Sequence, residues 1–207
     1  MSKILLINGS PNKAGCTFTA LSELALQLSK HGVESEIYQI GTAPVAGCTV
    51  CGYCWRNGKC VVDDAVNAIG QRLDEFDGIV MGSPVYYGSA SGQLCALLDR
   101  LFYVYGSKMA GKLAASVVSC RRGGATAAYD RLNKYPGMNN MIIVGSQYWN
   151  QIHGRSADQA VQDLEGLQTM RTLGENMAWL LRCIEEGRRA GVEKPVYEER
   201  TPTDFIR

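Results

Sequence analysis

The chain has 207 residues, a net charge of +1 and eight cysteines. That length suits one domain around a single core, and balanced, interspersed charge argues against a nucleic-acid partner or an anionic membrane surface. The opening run MSKILLINGS is too short an apolar stretch for a secretory signal and no segment reaches the ~20 apolar residues of a membrane span, so a cytoplasmic protein is expected, in which cysteines point to metal or redox chemistry rather than disulfides.

In chain order, residues 3–7 read as a short buried strand. The loop 9–17 follows, then Phe18, Leu21, Ala25 and Leu28 at helical spacing until Gly32 closes the segment. Residues 35–40 read as the second strand. Beyond it come Cys48, Cys51 and Cys54 at C-x2-C-x2-C spacing, with Cys60 six residues on and Asn57-Gly58 supplying a turn to bring it back. Thiolate is the ligand that iron in a cubane cluster prefers, and such runs wrap these clusters. Structural zinc usually takes two C-x2-C knuckles with a longer spacer, and a loop of bare thiols is a further reading.

Asp63 and Asp64 are candidate caps for a helix carrying Val66, Ile69, Leu73 and Phe76. Residues 77–82 read as a third strand running into the loop 83–88, and Leu94, Leu97, Leu98 and Leu101 mark the next helix. Residues 113–119 read as the fourth strand, ending at Cys120-Arg121-Arg122-Gly123-Gly124. A short helix over 127–134 leads to a fifth strand over 141–146 and an aromatic loop over 147–154. A long helix closes the domain, with a stripe from Val161 through Leu164, Leu167, Met170, Leu173, Met177 and Leu180 to Ile184. One domain over 1–190, with the cysteine loop 48–60 inserted after the second strand, and an extended tail over 191–207 are expected.

Five strands alternating with helices imply an α/β fold, a doubly wound parallel sheet covered on both faces. Ligands of such sheets bind outside the carboxyl ends of the strands, where the loops after strands one, three and four emerge. In loop 9–17, Gly15 opens the backbone, Ser10 and Thr17 offer hydroxyls, and the helix start supplies N–H donors. It departs from both the P-loop and G-x-G-x-x-G, so a monophosphate suits it better than a triphosphate or dinucleotide. Pro84, Val85, Tyr86, Tyr87 and Gly88 can offer backbone N–H groups and aromatic faces to a flat heterocycle, and Arg122, Gly123 and Gly124 can approach its polar edge.

The segments GSPNKAGCT, SPVYYGS and SCRRGGAT, in this order, resemble the NADPH-dependent FMN reductase and flavodoxin-like superfamily. With the cysteine set included, the chain resembles its iron-sulfur flavoprotein branch. The resemblance implies a flavodoxin-like sheet of order 2-1-3-4-5, one FMN per subunit, a [4Fe-4S] cluster on Cys48, Cys51, Cys54 and Cys60, and a homodimer or homotetramer. Carried onto this chain, Ser10, Asn12, Gly15, Cys16 and Thr17 hold the FMN phosphate. Pro84, Val85, Tyr86, Tyr87 and Gly88 flank the ring, and Arg122, Gly123 and Gly124 meet its pyrimidine edge. Two departures stand out: Asn12 takes a position where relatives often have arginine, and Cys16 replaces a more polar residue.

The expected activity is electron relay from a low-potential donor, with ferredoxin as a candidate, through cluster and FMN to a small planar acceptor. The alternatives are a cluster-free NAD(P)H-dependent reductase of flavin, quinones, nitroaromatics or azo dyes, and a pure flavodoxin-type carrier. The flavin carries the chemistry, so no catalytic side chain is required. His153, on the aromatic loop with Tyr148 and Trp149, is the candidate proton donor against the alternative of a structural hydrogen-bonding group.

Overall fold

Apolar residues on both faces of one short strand start the sheet. In the computed structural model, which describes residues 2–199 and 201–203, β1 (Lys3–Asn8) buries Ile4 and Leu6 in one core cluster and Leu5 and Ile7 in the other. A strand with two buried faces demands helices on both sides, and each such side chain gains about 1.5–3 kcal/mol by burial. The chain runs on through α1 (Cys16–Lys30), β2 (Glu34–Gln39), α2 (Tyr53–Asn57), α3 (Ala65–Gly70), β3 (Gly78–Tyr86), β4 (Ser89–Ala90) and α4 (Gly92–Tyr105). Then follow β5 (Leu113–Cys120), α5 (Ala125–Met138), β6 (Ile142–Ile143), β7 (Gln151–His153), α6 (Ala157–Ala160) and α7 (Leu164–Arg189). One core cluster includes Leu94, Leu97 and Leu101 of α4 and Ala128 and Leu132 of α5; the other includes Leu21, Leu24 and Leu28 of α1 and Met170, Leu173 and Met177 of α7.

The parallel path β2-β1-β3-β5-β6 is the expected doubly wound order, but among the described residues the sheet has seven strands rather than five. Two local effects add the extra pieces. Residues 83–88, expected as a loop, instead prolong β3 and turn back as a hairpin, with Val85 opposite Ala90 and Tyr86 opposite Ser89. Tyr87 and Gly88, at φ 49° and 74°, form its two-residue turn, whose hand matches the strand twist. The expected fifth strand over 141–146 is broken. It pairs with β5 only at Ile142 and Ile143, leaves after the Val144 amide bonds Ala114 O at 2.8 Å, and returns as β7 beside Val118–Cys120. The aromatic loop is therefore an excursion within this edge strand, closed by the Ser146 hydroxyl donating to Asn150 Oδ1 at 2.7 Å.

Three expected helices are redrawn by caps and packing. Asp64 caps α3, accepting from the Val66 amide at 3.0 Å, but the helix stops at Gly70, where a Cβ would lie 2.1 Å from the Tyr105 ring. Leu73 and Phe76 still bury, the first from the 3-10 turn Leu73–Glu75. Asp163 caps α7, accepting from the Gly166 amide at 2.9 Å, so Val161 falls before the long helix; it, Leu164 and Ile184 are exposed and outside its buried stripe. α5 begins earlier and ends later than 127–134, with Pro136 in its last turn.

Beyond α7 the described residues carry no regular structure; Arg200 and residues 204–207 of the expected tail lie outside them. Among the described residues no helix is long and apolar enough to cross a membrane.

Candidate active site

Because β1, β3 and β5 run parallel, their carboxyl ends share one rim, and hydrogen bonds stitch the following loops together there. The Gly9 amide donates to Gly82 O at 2.8 Å, and a Cβ on Gly9 would lie 2.8 Å from that same oxygen. Ser91 caps α4, donates its hydroxyl to Gly9 O at 2.7 Å, and gives its amide to Ser83 Oγ at 2.9 Å. On the other side, the buried hydroxyls of Thr17 and Ser119 share a 2.8 Å hydrogen bond. Gly124, at φ 87°, abuts the hairpin so closely that a Cβ there would lie 2.8 Å from Gly88 Cα and 3.0 Å from Val85 Cγ1. Segments far apart in the chain thus meet at backbone contact.

Loop 9–17 is organised by its own side chains. Asn8 Oδ1 accepts from the Ser10 amide, Ser10 Oγ from the Asn12 amide and Asn12 Oδ1 from the Ala14 amide, each at 3.1 Å. Gln39 on β2 braces the turn, accepting from Asn8 Nδ2 and donating to Ser10 O, both at 2.6 Å. Gly15 occupies the cap position of α1 and has no side chain to offer, so among the described residues the first-turn amides have no side-chain acceptor. Cys16 points its thiol at Gly154 O (3.4 Å) and Ser156 O (3.2 Å); burial pushes its pKa up and keeps it a neutral donor. With the Thr17 hydroxyl held by Ser119, the loop offers an anion backbone N–H groups and the positive end of a 15-residue helix.

At the hairpin tip Tyr87 is fully exposed in a left-handed conformation that costs a bulky residue about 1–2 kcal/mol, and Tyr86 is about half exposed. Arg122 and Gly123 are also exposed, and Arg122 enters no ion pair among the described residues. His153 lies not on a loop but in β7. Its amide donates to Asp163 Oδ2 at 2.7 Å, and its Nδ1 stands 3.4 Å from the same oxygen. That carboxylate also caps α7, which ties His153 to a helix start.

Cys48, Cys51, Cys54 and Cys60 line a single cavity together with Arg100, Tyr103 and Val104. The chain turns tightly there: Val50, Gly52 and Gly58 have φ of 53°, 69° and 63°, and for β-branched Val50 this is a strained conformation. Cys60 is fixed from two sides. Asn67 Oδ1 accepts its amide and Asn67 Nδ2 donates to its carbonyl, both at 2.9 Å, while Arg100 donates to its sulfur from Nε (3.3 Å) and Nη2 (3.1 Å). Burial works against the Arg100 charge, but Asp64 and Cys60 outweigh it and hold its pKa above the ordinary arginine value. Cys48 and Cys51 are exposed, and among the described residues no three Cys, His, Asp or Glu side chains converge in a metal-binding arrangement. The cavity fits a metal cluster in donor chemistry and in its buried cation. Arg100 is nine residues beyond the cap Ser91, which places the cavity roughly 13 Å along α4 from the rim.

The NADPH-dependent FMN reductase family model matches residues 2–154. An iron-sulfur flavoprotein of Methanocaldococcus jannaschii is 30% identical over 89% of this chain and 100% of its own length. Another, from Methanosarcina thermophila, is 31% identical over 90% of this chain and 98% of its own. The chain belongs to the iron-sulfur flavoprotein branch of the NADPH-dependent FMN reductase family. It is a flavin-dependent oxidoreductase, and its doubly wound sheet is that of the flavodoxins. A flavodoxin from the domain Archaea superposes with a TM-score of 0.60 at 14% identity, covering 88% of this chain and 99% of that one.

For a member of this family, Arg100, Asn67, Ser91 and Gln39 are the supporting residues that sequence reading passed over. Arg100 left a trace: it follows Leu97 by three residues on the apolar stripe of α4, where a cation is buried and must be paired. Ser91 left one too, as a serine three residues before Leu94 at a helix start, whereas Gln39 reaches partners about thirty residues away and Asn67 reaches Cys60 only through the folded loop.

Proposed function

We propose that the protein binds FMN at the rim and a [4Fe-4S] cluster on Cys48, Cys51, Cys54 and Cys60, and passes electrons from a ferredoxin-like or NAD(P)H donor to a small planar acceptor. The observation that carries the reading is the backbone contact of Gly124 with Gly88, which makes one cradle of two loops, the first following a strand tied to α1 by the Ser119–Thr17 hydrogen bond and the second tied to loop 9–17 by the Ser91 hydroxyl on Gly9 O. Bound there, FMN supplies interconversion of one- and two-electron steps. The first-turn amides of α1 at Cys16 and Thr17 receive the phosphate, with Ser10, Asn12 and Gly15 shaping the turn that aims them. Pro84 and Val85 continue β3 up to the ring, while Tyr86 and Tyr87 provide aromatic surface that excludes water from it. Gly123 and Gly124 bring backbone close to the ring's pyrimidine edge, and Arg122, in no ion pair among the described residues, places positive charge where negative charge accumulates on reduction. The four cysteines supply thiolates to iron, Cys60 from a fixed position and the others from the turning loop. The His153 amide donates to the α7 cap Asp163 and its Nδ1 stands 3.4 Å from the same oxygen, which supports a positioning role. The names of the relatives support the cluster, and a cytoplasmic homodimer or homotetramer accords with the reading.

Anaerobic purification with determination of FMN, iron and acid-labile sulfide tests this. One FMN per chain with iron and sulfide in equal amounts is expected, and Cys51→Ser is expected to lose the iron while keeping flavin and fold. Protein without flavin would overturn the whole reading.

The match to the NADPH-dependent FMN reductase model favours a second reading, in which NAD(P)H reduces the flavin directly and no cluster takes part. Flavin without iron, with steady NADPH turnover on a quinone, would select it.

A further inference from the structure

Arg100 is 1% exposed, and its guanidinium is saturated. Nη1 donates to Asp64 Oδ2 at 2.7 Å and to Ala46 O at 3.2 Å; Nη2 reaches Asp64 Oδ1 and Val62 O, both at 3.0 Å. Nε donates to one atom, Cys60 Sγ at 3.3 Å, and Nη2, whose two hydrogens are shared among three acceptors, reaches that same sulfur at 3.1 Å. Among the described residues no hydrogen bond reaches the sulfur of Cys48, Cys51 or Cys54. Burying a guanidinium is costly, and an apolar side chain would hold the same loop against α4 more cheaply. The placement needs a reason beyond packing, and the asymmetry among the four sulfurs supplies one.

We propose that Arg100 sets the reduction potential of the iron-sulfur cluster through its two N–H···S hydrogen bonds to Cys60, with Asp64 as the opposing control. The proposal rests on the reading that the four cysteines ligate the cluster. The reduced cluster carries one more negative charge than the oxidised one, so donors aimed at a ligand sulfur favour it and raise the potential. Asp64 acts in the opposite sense by neutralising much of the guanidinium charge. Arg100 is thus a positioning residue acting through Cys60, and the two side chains have effects of opposite sign. A packing defect at either position would not produce that pattern.

The test uses the full chain, purified anaerobically as wild type, Arg100→Gln and Asp64→Asn. The asparagine keeps a side-chain oxygen for the Val66 amide, so the cap of α3 survives. Each protein is assayed for iron, sulfide and FMN, and the cluster midpoint is read by redox titration followed by electron paramagnetic resonance. Arg100→Gln is expected to shift the midpoint negative and Asp64→Asn to shift it positive, at unchanged iron content. An unmoved midpoint in either variant, or shifts of one sign in both, overturns the proposal. If Arg100→Gln retains no iron, Asp64→Asn decides alone: a positive shift supports the proposal, and no shift or a negative one overturns it. Wild-type protein without iron would overturn the cysteine-ligand reading, and the proposal with it, at the metal assay before any titration.

Discussion

Glu36 shows how far a single surface carboxylate can be shifted. On β2 it meets Lys3 Nζ at 3.0 Å and both terminal nitrogens of Arg72, at 2.7 and 2.8 Å. The Arg72 hydrogen bonds, helped by Lys3 against some desolvation, hold its pKa down from 4.5 to about 2. A depressed folded-state pKa contributes stability above the unfolded value that disappears as pH falls through the folded one. The pair is 30% and 41% exposed, so screening by solvent reduces the contribution to about 1 kcal/mol. Glu36→Gln is therefore expected to be about 1 kcal/mol less stable than wild type at pH 7. The gap should narrow below pH 4.5 and close near pH 2, as read from urea midpoints across that range.

Among the elements, α1 and α7 depend on a close crossing. A Cβ at Gly174 would lie 2.8 Å from Gln27 Cβ and 3.4 Å from Leu24 Cδ1, against a helix that has no room to retreat from the sheet. Alanine gains about 1 kcal/mol of helix propensity over glycine, but overpacking a full interface costs about 1–3 kcal/mol. The clash should win: Gly174→Ala is expected to lower the thermal midpoint by about 2–4 °C, with flavin content unchanged. The helix pattern itself was plain in the sequence, where Met170, Leu173 and Met177 mark the buried stripe. The start of α7 was not, because Asp163 competes with the apolar spacing from Val161 and wins by capping.

At the scale of the molecule, function requires loops from opposite parts of the chain to touch. Gly124→Ala places a methyl against Gly88 Cα in a backbone conformation that alanine avoids, whereas a Cβ at neighbouring Gly123 meets nothing within 4 Å. The first change is expected to cost about 1–3 kcal/mol of stability and to weaken FMN binding at least about tenfold in a fluorescence titration. Gly123→Ala serves as the control, with stability within about 0.5 kcal/mol of wild type. Equal loss in both variants would show that glycine at 124 is not what lets the cradle close.

The sequence alone determined the alternating βα order, the parallel sheet and its binding edge, because two-sided burial and helical spacing are local patterns that survive without tertiary detail. Residues 9–17, 83–88 and 121–124 could be singled out for the same reason, by their glycines and hydroxyls after apolar runs. Only the tertiary structure decided that Tyr87 and Gly88 form a hairpin turn, that His153 belongs to a strand, and that Arg100 is aimed at Cys60. The last two facts depend on contacts between residues tens of positions apart, and the hairpin on the pairing of Val85 with Ala90 once β3 has been fixed in the sheet. Such contacts are set by backbone direction and by the pairing of buried polar groups, and neither leaves a periodic trace in the chain.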